Sequence, residues 1–126
     1  MGARILIIED NPANLELARY LLHASGHTVD CASAGHTGIA RARAAQPDLV
    51  LSDIGMPDID GYEVLRRLRA DPACRHIPIV ALTAYSMPGD QARALSSGFN
   101  GYLSKPVDPE TFVRQVEAFL PAWRGA

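Results

Sequence analysis

Five polar residues stand directly behind short apolar runs, and their types belong together chemically. Glu9 and Asp10 follow Ile5-Leu6-Ile7-Ile8, Asp53 follows Asp48-Leu49-Val50-Leu51-Ser52, Thr83 follows the run from Ile77 to Leu82, and Lys105 follows Gly101-Tyr102-Leu103-Ser104. Taken singly, an acid behind a strand is commonly a helix cap and a lone lysine is commonly solvated. Taken jointly, at the same end of successive strands, they describe one site. Three carboxylates converging within about 5 Å repel one another by roughly 3 kcal/mol per pair at an effective dielectric of about 20, so positive charge must sit among them. Oxygen donors without His or Cys select a hard cation, and few protein carboxylates leave Mg2+ the waters and phosphate oxygens it prefers. Lys105 adds a fixed positive charge and Thr83 a hydroxyl donor. A carboxylate nucleophile, a cation site, a lysine and a hydroxyl are the parts of a phosphoryl-transfer site.

Those residues meet only if the runs are neighbouring parallel strands. With the weaker run Thr28-Val29-Asp30-Cys31-Ala32, five strands are expected. The first and fourth are nearly continuous in β-branched residues and leucine, the pattern of strands covered on both faces. The segments between them read as helices. Asn11 before Pro12 caps the first, whose Leu15, Ala18, Leu21 and Leu22 share a face, and Gly26 closes it. Asp108 before Pro109 predicts a similar start for the last helix, with Phe112, Val113, Val116, Phe119 and Leu120 as its stripe and Pro121 as its stop. Helices near 34–45, 61–70 and 88–97 complete the set, the start of the third weakened by Pro88 and Gly89. A βα alternation repeated five times implies right-handed crossovers and an open, doubly wound α/β sheet, with ligands beyond the carboxyl ends of its strands.

Composition sets the bounds. A chain of 126 residues, 48% hydrophobic, suits one domain over residues 1–126, with a core from about 4 to 120 and a short tail at 121–126 that includes Trp123. A formal net charge of −2 gives no reason to expect a nucleic-acid or membrane surface. Cys31 and Cys74 lack disulfide or zinc spacing, and the first apolar run is too short for a signal peptide or a membrane span. A cytoplasmic location is therefore expected. His23 and His27 are four apart, but Gly26 should break the helix between them, so they do not read as metal ligands. Arg66, Arg67, Arg69 and Arg75 read as the solvated face of the third helix. No Gly-rich dinucleotide or P-loop motif is present.

The ordered motifs resemble those of response-regulator receiver domains: Ile5 to Asn11, Ser52-Asp53-Ile54-Gly55-Met56-Pro57 with Asp60-Gly61, Leu82-Thr83-Ala84, and Gly101 to Pro106. The resemblance covers essentially the whole chain. It implies a flavodoxin-like five-stranded parallel sheet in the order 2-1-3-4-5 with five helices. It implies that a sensor histidine kinase or histidine phosphotransfer protein phosphorylates Asp53, and that Glu9, Asp10, Asp53 and the backbone carbonyl of Gly55 bind Mg2+. Thr83 and Lys105 would bind the phosphoryl oxygens, Ala84 would leave access to them, and the Lys105-Pro106 peptide would be cis. Thr83 and Tyr102 would form the switch that reshapes the output surface for a downstream protein or fused output domain, as a monomer or a phosphorylation-dependent dimer.

Two features depart from the commonest pattern. Glu9 stands where many relatives carry aspartate, and Gly55 and Tyr85 occupy positions that influence water attack on the phosphoryl group, Tyr85 being expected to shield it in part. The chain reads as a signalling module rather than a turnover enzyme, its own chemistry limited to Mg-dependent self-phosphorylation and autodephosphorylation. A receiver-like interaction module that is never phosphorylated is the alternative, although no acceptor, acid or lysine is missing. A hydrolase with an aspartyl-phosphate intermediate would want a second acid at position 55, which is glycine.

Overall fold

The computed structural model describes residues 2–84 and 87–120. The chain alternates strictly: β1 (Arg4–Ile8), α1 (Pro12–Ala24), β2 (Thr28–Ala32), α2 (Gly35–Ala45), β3 (Leu49–Ser52), α3 (Gly61–Ala70), β4 (Ile79–Thr83), α4 (Pro88–Ser97), β5 (Gly101–Ser104) and α5 (Phe112–Glu117). All four strand pairings are parallel and the order is β2-β1-β3-β4-β5, the flavodoxin-like arrangement that the resemblance implies.

The apolar runs are continuous because each strand is covered twice. Leu6, Ile8, Val50, Ile79 and Ala81 face a layer containing Ile39 and Ala42 of α2, Val64, Leu65 and Leu68 of α3, and Ala94 of α4. Their neighbours Ile5, Ile7, Leu49, Leu51, Val80 and Leu82 face Ala18 and Leu22 of α1 and Phe112 and Val116 of α5. Alternate side chains of one strand thus feed two cores, as the pleat requires.

Several boundaries differ from the sequence expectation. The fourth strand starts at Ile79 rather than Ile77. Pro78 has no N–H for the ladder, but its carbonyl accepts the N–H of Val50 at 3.0 Å. Asp48 stays outside β3 and its carboxylate accepts the Arg4 N–H at 2.8 Å. The last helix does not begin at Pro109. Asp108 Oδ1 accepts the Glu110 N–H at 2.9 Å and its carbonyl accepts the Phe112 N–H at 2.9 Å, which organises residues 109–111 as turns before α5. Phe119 and Leu120 lie beyond the end of α5 yet still pack on its core. Pro121 and Trp123 fall outside the described residues.

The arginine cluster is not wholly a solvated face. Arg69 Nη1 donates to the carbonyls of Arg75 at 3.1 Å and Ile77 at 2.6 Å, while Nη2 reaches the Gly98 carbonyl at 3.3 Å and Asn100 Oδ1 at 2.6 Å. It ties α3 to the start of β4 and the end of α4. His27 is structural as well. Its Nδ1 accepts the Ala3 N–H at 3.0 Å and its Nε2 lies 2.8 Å from Glu117 Oε2, joining the entries to β1 and β2 with α5. Among the described residues no helix is long and apolar enough to cross a membrane.

Candidate phosphoacceptor and metal site

The order of the sheet reverses direction between β1 and β3, and the crevice beyond their carboxyl ends is where such folds bind ligands. Hydrogen bonding continues past the strands and sets the site's registry. The Glu9 N–H reaches the Ala32 carbonyl at 2.9 Å, the Asp53 N–H reaches the Ile8 carbonyl at 2.9 Å, and the Lys105 N–H reaches the Thr83 carbonyl at 2.9 Å. Each residue is thus placed by the neighbouring strand, one step beyond its own.

Glu9, Asp10 and Asp53 offer carboxylate oxygens within 4.8 Å of one another, Glu9 and Asp53 buried and Asp10 exposed. Lys105 Nζ donates to Glu9 Oε1 at 2.7 Å and to Asp53 Oδ2 at 3.1 Å. One cation therefore stands against three acids. Burial pushes the Glu9 carboxyl up to about 7, opposed by hydrogen bonds from Lys105 and the Asn11 N–H and reinforced by the neighbouring Asp53. Burial also pulls the Lys105 ammonium down, but its bonds to Glu9 and Asp53 outweigh that and hold it above its ordinary value. Excess negative charge in a buried setting, presented entirely by oxygen donors, fits a hard divalent cation.

The loop after β3 bends back so that the Gly55 N–H meets Asp53 Oδ1 at 3.3 Å. Its return is close: a Cβ on Gly61 would lie 2.4 Å from the Asp53 carbonyl oxygen, so only glycine lets α3 start against the acceptor's own backbone. Thr83, the last residue of β4, is buried at the same edge, and Ala84 beside it is exposed. Tyr102, in β5, is half-buried against the α2–α3–α4 core, and its hydroxyl is buried without a hydrogen-bond partner among the described residues. The Lys105-Pro106 peptide is cis. Tyr85 lies outside the described residues.

One site element escaped the sequence reading. Asp58 accepts the N–H groups of Gly35 and His36 at the start of α2. The signal was a missing one, since α2 starts at Ala34-Gly35 with no side chain able to cap it.

A parallel 2-1-3-4-5 sheet whose carboxyl edge gathers three acids and a lysine, with a threonine at the end of β4, defines a receiver-type α/β domain. Residues 5–117 match the response regulator receiver domain family. Over 120 residues the chain is 38% identical to the polar-differentiation response regulator DivK of Brucella ovis, covering 95% of this chain and 98% of that protein. The structure is similar to the chemotaxis response regulator CheY4 of Vibrio cholerae, with a TM-score of 0.89, 28% identity, and coverage of 95% of this chain and 100% of that one. It is also similar to the receiver domain of a sensor histidine kinase from Pseudomonas aeruginosa, solved with a magnesium ion coordinated in its active site cleft. The TM-score there is 0.85, with 34% identity and coverage of 94% and 98%. The chain belongs to the response regulator receiver domain family of two-component signalling.

Proposed function

We propose that residues of about 4–120 act as one receiver unit that accepts a phosphoryl group on Asp53 from a phosphohistidine of a sensor histidine kinase or histidine phosphotransfer protein. The observation that carries this reading is the buried Asp53 carboxylate, clustered within 4.8 Å of Glu9 and Asp10 and 3.1 Å from Lys105 Nζ. An Asp53 oxygen attacks phosphorus, the P–N bond to the donor imidazole breaks, and its electron pair stays on that ring. Glu9, Asp10, Asp53 and the Gly55 carbonyl would hold Mg2+, which would neutralise charge on the attacking carboxylate and the phosphoryl oxygens. Lys105 has three donors and turns one toward the new anion, while the Thr83 hydroxyl donates another hydrogen bond. The same residues permit autodephosphorylation by water, so the unit resets itself.

Phosphorylation adds about two negative charges and three strong acceptors. Thr83 is drawn toward them, and Tyr102 moves inward behind it. An unsatisfied buried hydroxyl costs about 1–3 kcal/mol, so the present seat of the Tyr102 ring is easily left. The changed surface of α4, β5 and α5 is then read by a downstream protein or a fused output domain. We place this signalling in the cytoplasm.

The test is incubation with acetyl phosphate and MgCl2, followed by intact mass measurement. Wild type should gain one phosphoryl group and Asp53→Asn none. A gain that persists in Asp53→Asn, or no gain in wild type, refutes the reading.

A further inference from the structure

Helix α2 starts without a cap of its own, because its N-cap residue is Ala34. The missing acceptor arrives from the loop between β3 and α3. Asp58 Oδ1 accepts the Gly35 N–H at 3.0 Å, and Asp58 Oδ2 accepts the His36 N–H at 2.9 Å. The N–H groups of His36 and Gly35 hold this carboxyl down at about 2, so it stays charged at any working pH.

The helix so capped is registered against the metal-site edge. A Cβ on Gly38 would lie 2.4 Å from Ile8 Cδ1 and 2.7 Å from Ile8 Cγ1. The backbone of α2 therefore rides on the last residue of β1, immediately before Glu9. At its other end the loop is fixed to α3, where Asp60 Oδ1 accepts the Glu63 N–H at 2.9 Å and the Ile54 carbonyl accepts the Gly61 N–H at 2.7 Å. Segment 54–60, which carries Gly55, is thus held between two helix starts. Beside the close approach of Ile59 to Gly35, the Asp58 bonds are the hydrogen bonds that refer it to α2 and so to β1.

We propose that Asp58 is a positioning residue of the cation site: by tying the Gly55 loop to the start of α2, it sets where the Gly55 carbonyl stands relative to Glu9 and Asp53. The proposal rests on the reading of Glu9, Asp10, Asp53 and Gly55 as a Mg2+ site. Asp58 is exposed and is not part of the carboxylate cluster, so it acts through the loop rather than on the ion. Residues that orient metal ligands typically change metal affinity by 10–100-fold when removed. A backbone ligand held from one side of its loop belongs at the lower end.

The experiment is an MgCl2 titration of the full chain followed by amide chemical shifts, with melting temperature measured in parallel. It compares wild type, Asp53→Asn, Asp58→Ala, Asp58→Asn and Asp71→Ala. The last removes a carboxylate that caps Ala73 and pairs with Arg43 at the far end of α3, and so controls for lost charge and lost stability. Asp58→Ala should weaken Mg2+ binding roughly tenfold. Asp58→Asn, which keeps one acceptor oxygen, should fall between it and wild type, and Asp71→Ala should titrate like wild type.

Unchanged affinity in Asp58→Ala, or equal weakening in Asp71→Ala, overturns the positioning role. If Asp58→Ala does not fold, Asp58→Asn decides: affinity equal to wild type overturns the proposal, and affinity below both wild type and Asp71→Ala sustains it. Wild type showing no saturable Mg2+ shifts, or Asp53→Asn titrating like wild type, removes the metal-site reading itself, and the proposal falls with it.

Discussion

Replacing Glu9 by glutamine should stabilise the metal-free protein above pH 7, although it removes a charge that is ion-paired to Lys105. Burial is the dominant influence on Glu9, and it holds the carboxyl at about 7 rather than 4.5. The folded protein therefore keeps a proton that the unfolded chain releases between those values. Stability falls as pH rises through that window, and the full penalty, roughly 3 kcal/mol, is present only above pH 7. At pH 5 it is below about 1 kcal/mol by the same relation. Glutamine has nearly the same shape and can still accept from Lys105, but it gives up part of the charge attraction. A net gain of about 1–2 kcal/mol at pH 8 is expected, roughly 4–10 °C for a domain of this size. The assay is thermal unfolding of wild type and Glu9→Gln in EDTA at pH 8 and pH 5. Millimolar MgCl2 at pH 8 should then stabilise the wild type more than the variant and narrow or reverse the gap. A variant less stable than wild type in EDTA at pH 8, or an equal advantage at both pH values, refutes the claim that Glu9 charge is what strains the site.

Arg69→Ala removes charged hydrogen bonds to the Ile77 and Gly98 carbonyls and to Asn100, and should cost about 1.5–3 kcal/mol in urea unfolding. Arg69→Lys should recover little of it, because an ammonium does not reproduce the planar fork. His27→Ala leaves the Ala3 N–H without its acceptor and the Glu117 carboxylate without its histidine. It should cost about 2–3 kcal/mol by chemical denaturation while leaving Asp53-dependent phosphoryl uptake intact.

Much of the architecture was legible in the chain because its signals are local. The unbroken run of Ile5 to Ile8 has the pattern of a strand covered on both faces, and Asn11-Pro12 marks the start of α1 wherever the helix packs. Strict βα alternation then leaves few topologies. Polar residues placed at the ends of strands, rather than scattered, made the convergence of Glu9, Asp10 and Asp53 readable too. The start of the last helix was misread because Asp108-Pro109 looks the same whether it opens a helix or a pair of turns.

What the residues determined by themselves is therefore the set of strands, the edge at which the acids and Lys105 gather, and the family. Pairing across the chain decided the rest. Arg69 looked like a solvated charge and is a clamp, because its partners include carbonyls just before β4 and just after α4 that no helical periodicity can report. Asp58 carries no sequence signal of its own and caps a helix that begins 23 residues earlier. His27 found Glu117 across 90 residues. Short-range preferences are written residue by residue, whereas these bonds exist only once the sheet has brought distant backbone groups within 3 Å or so of a side chain.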